Sequence, residues 1–297
     1  MPELEPPGLG RRRGEPQIET LGEAVIGERR RRDIQARVEQ TGYVEARQLA
    51  ADLRVDVSTI RRDLDTLARV GLLQRTHGGA LPVYGGQAID LPYEVKKRER
   101  LAEKRALASY AATLVADGDS LVLDSGSTTY ALAEAIRDRR DLTVATNDLR
   151  IAHHLAASGG LRLFVTGGQL IDSVFTLVGP GALANLSGLH VDWAFLGADA
   201  VDVEAGVTNV NTVEIPIKQA MLEAGARKVL LADSSKFGRK ALATVVSVDA
   251  FDCIVTDAGL PARLRPDYGP RLVCLDVGGR RRGAIALPGP RREAQAN

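Results

Sequence analysis

The chain has 297 residues, enough for about two domains, and its 44% hydrophobic but only 4% aromatic content calls for cores of Leu, Val, Ile and Ala. A net charge of +1 excludes a protein that binds nucleic acid over its whole surface, so any basic patch is local. Cys253 and Cys274 lie far apart in apolar runs and read as reduced, buried thiols rather than a disulfide or metal site; without a membrane-length apolar run or an apolar leader, the chain reads as soluble and cytoplasmic.

Residues 1–27 are rich in Pro, Gly, Glu and Arg without apolar periodicity and are expected to be disordered. From Glu28 the pattern changes. Ile34 and Val38 lie one helical turn apart, and Ala46, Leu49, Ala50 and Leu53 mark a second short helix. Asp56 stands where an N-cap belongs, ahead of a third helix whose Ile60, Leu64 and Leu67 repeat at i, i+4 and i+7. At about 100° per residue, Ser58 and Arg62 fall opposite that stripe, with Thr59 and Arg61 on its flanks. Asp63 lies near the apolar side, where a carboxylate suits an arginine better than a DNA phosphate. Three short helices followed by Leu72–Ala80 as a hairpin predict a winged helix-turn-helix over residues 28–82. Ser58, Thr59, Arg61 and Arg62 are the expected DNA contacts, with Arg75 and His77 reaching from the wing; His77 reads equally as a hydrogen-bonded turn residue. Arg29–Arg32 add candidate phosphate contacts.

This stretch resembles the DeoR family of bacterial transcriptional regulators. The resemblance rests on Thr59-Ile60-Arg61-Arg62-Asp63-Leu64, then Gly71-Leu72-Leu73, then His77-Gly78-Gly79-Ala80, without a gap over residues 28–82. Asp56 stands where the family usually has Ser, and either residue can cap a helix.

Residues 83–100 mix Gly, Pro and charge and read as a linker turning into a helix that carries Leu101 and Leu107; 101–278 read as a second domain; 279–297, with their Arg and Pro and no periodicity, as a disordered tail. In the second domain short apolar strands (Leu121–Leu123, Leu142–Ala145, Leu161–Val165, Trp193–Leu196, Val229–Leu231, Cys253–Val255) alternate with helical stretches, which predicts an α/β fold with a mainly parallel sheet. Such sheets bind ligands at the carboxyl ends of their strands. Those ends are polar here: Asp124-Ser125-Gly126-Ser127-Thr128-Thr129, Thr146-Asn147-Asp148, Thr166-Gly167-Gly168, Gly197-Ala198-Asp199 and Ala232-Asp233-Ser234-Ser235-Lys236. The first, opening a helix, offers hydroxyls and backbone N–H groups suited to a phosphate. No GxxxxGK[ST] or GxGxxG loop is present, and no cofactor or metal is expected.

Residues 94–258 also resemble the DeoR-type effector domain, which is related in fold to ribose-5-phosphate isomerase. The resemblance implies a phosphorylated sugar held by Ser125–Thr129, with Thr146, Asn147, Gly168 and Lys236 lining the pocket; Asp124, Asp199 and Glu214 are further expected effector-binding residues. Asp199, Asp202, Glu214 and Lys236 also suggest a rival reading, an isomerase-like enzyme in which Glu214 moves a proton. Against it, Gly206–Asn211 lacks the lysine and glycine run expected there, and Glu214 is explained as a ligand acceptor or a helix N-terminal residue. The expected partners are a double-stranded DNA operator, a sugar phosphate and a second copy of the chain, since one short recognition helix reads too few bases alone. No membrane partner is expected.

Overall fold

The computed structural model describes residues 17–41, 43–70, 72–76, 78–82, 93–171, 174–277 and 281–282. The chain divides into two compact units, Met1–Val83 and Tyr84–Asn297.

In the N-terminal unit, α1 (Gln17–Thr41) is followed by β1 (Val44–Glu45), α2 (Ala46–Leu53), α3 (Val57–Arg69), β2 (Leu73–Arg75) and β3 (Gly79–Pro82). α1 begins well inside the stretch expected to be disordered. Residues 17–41 carry Glu, Leu and Ala and no proline, so helix propensity carries the helix upstream where periodicity gave no signal. The core is Ile34, Val38, Leu49, Ile60, Leu64, Leu67 and Leu73, so the apolar stripe of α3 faces α1 and α2 as its spacing requires. Arg54, in left-handed conformation (φ 53°), ends α2, and Asp56 caps α3 by accepting from the Ser58 N–H at 2.7 Å. The wing β2–β3 is antiparallel and is joined by β1 on the other edge of β3. A Cβ at Gly79 would lie 1.8 Å from the Val44 carbonyl oxygen, so this pairing requires glycine. Gly71 and His77 lie outside the described residues.

The C-terminal unit opens with α4 (Tyr93–Arg98) and α5 (Leu101–Leu114). Then come β4 (Ser120–Leu123), α6 (Ser127–Ala135), β5 (Thr143–Thr146), α7 (Leu149–Ala156), β6 (Arg162–Val165), β7 (Gln169–Ile171), β8 (Thr176–Val178), α8 (Pro180–Leu186) and β9 (Val191–Leu196). They are followed by β10 (Ala200–Asp202), β11 (Gly206–Asn209), α9 (Ile215–Ala224), β12 (Gly225–Leu231), β13 (Ala243–Val246), β14 (Cys253–Asp257), β15 (Leu272–Leu275) and β16 (Arg281–Arg282). The main sheet has the order β16-β15-β14-β12-β9-β4-β5-β6 and is parallel except for β16. This is the α/β architecture expected. Alternate strand residues feed two cores: Leu121, Leu123, Trp193 and Phe195 pack with residues of α5, α6 and α7, whereas Val122, Ala194 and Leu196 pack with residues of α8 and α9.

Two expectations at the edges of this unit are corrected. Residues 93–100, assigned to a linker, contain α4 and a turn, with Tyr93 buried against the rings of Tyr130 and Phe175. Arg281–Arg282, assigned to the tail, pair with Cys274 and Leu275. A small antiparallel sheet, β10-β11-β13, contains Gly206–Asn209.

β4 is the pivot. The chain runs outward from it through β5 and β6 on one side, and through β9, β12, β14 and β15 on the other. The carboxyl ends of β4 and β9 therefore flank the point where strand order reverses, the place where such sheets leave a crevice.

Candidate functional site

On α3, Ser58, Arg61 and Arg62 are exposed and Thr59 is half-buried. No ion pair among the described residues engages Arg61 or Arg62, which leaves both guanidiniums available to an anionic partner. The hydrogen bond from Ser58 lowers the Asp56 carboxyl below its ordinary value. Asp63, buried in its core-side position, pairs with Arg30 (2.5 Å) and Arg31 (3.2 Å). Those two arginines, grouped with phosphate contacts on sequence grounds, thus brace α3 against α1, and Arg32 pairs with Glu28 at 2.6 Å. Arg75 bonds Asp65 at 2.8 Å and the Gly79 carbonyl, which fixes the wing to α3.

In the C-terminal unit a crevice opens at the ends of β4 and β9. Ser125–Thr129 form one wall, with the first turn of α6 presenting N–H groups; the Gly126 N–H is already given to Asp148 (3.2 Å) and the Thr129 hydroxyl to the Gly126 carbonyl (2.9 Å). Gly197–Asp199, Asn209 and Glu214 form a second wall, and Asp233, Ser235 and Lys236 a third. Lys96 and Arg100, from α4 and the turn after it, and Lys104 of α5 close the remaining side.

The electrostatics are mixed. Burial works to raise the Asp199 carboxyl, but Lys96 (3.1 Å), Lys236, the Val210 N–H (3.0 Å) and Lys218 outweigh it and hold it at about 2. Glu214 is pushed to about 7: burial dominates, Lys218 opposes it, and Asp199 and Asp124 add repulsion. The Glu214 carboxylate accepts from Asn209 Nδ2 at 2.9 Å. Lys218 lies on the floor, bonded to Asp124; despite burial, Asp124, Glu214 and Asp199 raise its pKa. Burial lowers the Lys104 ammonium to about 8 against the pull of Asp233, and its Nζ donates to the carbonyls of Lys96 and Glu99. Lys236 has no ion pair among the described residues. Cations and helix N–H groups suit an anionic group, and the carboxylates and Asn209 suit hydroxyls.

Residues 30–83 match the DeoR-like helix-turn-helix domain, and residues 99–258 match the DeoR C terminal sensor domain. The chain belongs to the DeoR family of transcriptional regulators. It is 36% identical over 234 residues to the putative aga operon transcriptional repressor of Escherichia coli O157:H7, spanning 78% of this chain and 87% of that one. It is 32% identical over 225 residues to the glycerol-3-phosphate regulon repressor of Escherichia coli strain K12, spanning 75% and 88%. Among solved structures, ribose 5-phosphate isomerase from Plasmodium falciparum aligns with a TM-score of 0.34 at 14% identity, over 46% of this chain and 52% of that one. This DeoR-family chain is a DNA-binding transcriptional regulator with a small-molecule sensor domain, and not an enzyme.

Within the regulator's sensor domain, Ser125, Gly126, Ser127, Thr128, Thr129, Asp199, Glu214 and Lys236 do meet at the crevice. Four other candidates do not line it. Asp124 is fully buried beneath it, accepting from the Gly197 N–H (3.0 Å) and from Lys218. The Thr146 hydroxyl donates to the Leu123 carbonyl (2.8 Å) and Asn147 Nδ2 to the Leu177 carbonyl (3.2 Å), so both tie strands and hairpin together. Gly168 (φ 108°) packs on β8, where a Cβ would come within 2.4 Å of the Val178 carbonyl oxygen. These three belong to β5, β6 and the hairpin, on the far side of β4 from β9. Asp202, part of the isomerase-like constellation, instead closes a turn by accepting from the Glu204 and Ala205 N–H groups (3.1 and 2.9 Å) and pairs with Lys240. Lys96, Arg100, Lys104, Asn209 and Lys218 were missed. Lys218 alone had a local signal, four residues after Glu214 on one helix face.

Proposed function

We propose that this regulator is a repressor of carbohydrate-metabolism genes and that a phosphorylated sugar in the β4–β9 crevice controls its operator binding. The observation that carries this reading is the pairing, in one crevice, of an anion-seeking side with a hydroxyl-seeking side. The anion side is Lys96, Arg100, Lys236 and the N-terminus of α6; the hydroxyl side is Asp199, Asn209 and Glu214. A sugar phosphate needs both. The name of one relative, the glycerol-3-phosphate regulon repressor, agrees with that chemistry.

The operator would be read by Ser58, Thr59, Arg61 and Arg62, with phosphate contacts supplying most of the affinity and a steep salt dependence. Two copies acting on paired half-sites would give the needed specificity. Control by the sugar requires its affinity to differ between DNA-bound and free protein, a coupling of about 1–3 kcal/mol. The isomerase-like alternative has less support, since Asp202 is spent on a turn.

The test is a thermal-shift and titration screen with phosphorylated sugars, followed by operator-binding anisotropy with and without the hit. A sugar phosphate should raise the melting temperature and change operator affinity. Thr128→Glu, which puts negative charge at the N-terminus of α6, should remove both responses. Ligand binding undiminished in Thr128→Glu would place the ligand elsewhere, and turnover of the sugar abolished by Glu214→Gln would restore the enzyme reading.

A further inference from the structure

We propose that α4 is a ligand-operated latch: the anionic group of the effector is gripped between Lys96 and Arg100 on one side and the Ser125–Thr129 wall on the other, and this grip fixes the chain segment that follows the DNA-binding unit. The inference rests on the sugar-phosphate reading above and assigns the regulation of that site.

Three features of α4 support it. First, it follows the N-terminal unit in sequence, separated from β3 only by residues 83–92, and yet its Lys96, with Glu99 and Arg100 of the turn after it, forms part of the crevice wall. Whatever Lys96 and Arg100 bind acts directly on the stretch through which the two units are covalently joined.

Second, α4 is held at three points of different character. Tyr93 at its start is buried, edge-on to Tyr130 of α6 and to Phe175, with the Arg150 guanidinium 4.0 Å over its ring. At its end, Lys104 of α5 donates to the Lys96 and Glu99 carbonyls. On the crevice side, attachment is by ion pairs: Lys96 of α4 to Asp199 at 3.1 Å, and Arg100, just past the end of α4, to Asp233 at 3.5 Å. Arg100 also pairs with Glu103 of α5 at 3.3 Å, and its side chain is 42% exposed, so both of its pairs are screened and readily exchanged. A phosphate, with three oxygens to share among Lys96, Arg100 and Lys236, makes bonds to α4 that the unliganded crevice lacks. That difference between states is what a population shift requires.

Third, the junction between α4 and α5 is a pivot. Arg100 adopts φ 49°, a left-handed conformation that side chains other than Asn, Asp and Gly rarely take. The residue that holds the bend is therefore also the residue whose guanidinium lines the site, and binding at its tip bears on the bend itself.

The experiment uses the full chain. Affinities for inorganic phosphate, glycerol 3-phosphate, ribose 5-phosphate and fructose 6-phosphate are measured by titration calorimetry for wild type, Lys96→Ala and Arg100→Ala. Amide hydrogen exchange over residues 93–100 is then followed with and without the tightest probe. Where an alanine variant fails to keep the wild-type Trp193 fluorescence, the glutamine variant at the same position replaces it. Binding weakened at least tenfold by each substitution, with exchange over 93–100 slowed at least tenfold by ligand in wild type alone, is the expected result. If the probe binds wild type and both variants alike, the grip is wrong while the sugar-phosphate reading stands. If the variants bind weakly but exchange over 93–100 never changes, Lys96 and Arg100 hold the ligand without a latch, and the inference is overturned. If no probe binds wild type, the sugar-phosphate reading fails and this inference falls with it.

Discussion

Glu214→Gln should stabilise the sensor domain, with a gain that grows as pH rises from about 4.5 to 7 and holds above that. Glu214 is 8% exposed, and its carboxyl is raised from its ordinary 4.5 to about 7, chiefly by burial. Between those values the folded chain holds a proton that the unfolded chain has released. This raised carboxyl's contribution is therefore fully present below pH 4.5 and is lost as pH rises through 7. At about 1.4 kcal/mol per tenfold, ionising the buried group lowers stability by up to about 3 kcal/mol at pH 8.5. Gln never ionises, and its amide oxygen can still accept from Asn209, whose Nδ2 donates to Glu214 at 2.9 Å. The loss of a partner for Lys218 offsets part of the gain, but Lys218 keeps Asp124. The expected stabilisation is about 1–3 kcal/mol at pH 8.5, shrinking below about 1 kcal/mol at pH 5. Urea unfolding followed by fluorescence measures it, because the single tryptophan, Trp193, is buried in the core of this unit. Destabilisation at pH 8.5, or a gain equal at both pH values, would refute the assignment, because Glu214 would then be ionised at an ordinary pKa and held by Lys218.

The other predictions concern the DNA-binding unit. Asp63→Ala leaves Arg30 and Arg31 without their 2.5 and 3.2 Å partner and should cost about 2–4 kcal/mol, read as a lower melting temperature of the N-terminal unit and weaker operator binding. Gly79→Ala drives a methyl into the Val44 carbonyl and should destabilise that unit by more than about 2 kcal/mol; circular dichroism melts unchanged from wild type would contradict the close approach. Arg62→Ala should weaken operator binding by about 1–3 kcal/mol. A change in sequence preference identifies a base contact, whereas a uniform loss with a shallower salt slope identifies a phosphate contact.

The N-terminal unit was readable from sequence because its organising contacts are local or periodic. The Asp56 cap, the Ile60–Leu64–Leu67 stripe and the core-side position of Asp63 all follow from geometry within one helix. Even there, which arginines would meet Asp63 was not legible, because Arg30 and Arg31 are brought to it by tertiary packing across 33 and 32 residues. In the sensor domain, polar residues at strand ends mark the rim of an α/β sheet, and that rule pointed to Ser125–Thr129, Asp199 and Lys236, which the fold brings to one crevice. The same rule pointed to Thr146, Asn147 and Gly168, which do not line that crevice. It says which end of the sheet binds ligand, but strand order decides which strand ends share a crevice, and order is not written in any local pattern. Lys96 left no trace at all: its partner Asp199 is 103 residues away, and its neighbours are the charges and glycines of an apparent linker.

The floor and the rim of the crevice have different work. On the floor, Asp124 accepts from the Gly197 N–H and from Lys218 of α9, whose Nζ also lies 3.4 Å from the Gly197 carbonyl. That pair binds the end of β4, the end of β9 and α9 into one unit. With side chains 4% and 1% exposed, it has left water almost completely. Removing one member strands a buried charge, a loss of about 3–5 kcal/mol that would unfold the strand ends and not merely empty the site. The rim is another matter: Lys96 and Arg100 share partly exposed ion pairs, and Lys236 has none among the described residues. Ligand affinity can therefore be dissected at the rim, where exchanging an ion-pair partner costs little, while substitutions on the floor report on the fold. A Lys218 variant that fails to bind a sugar phosphate says nothing about the ligand until Trp193 shows that the strand ends are still in place.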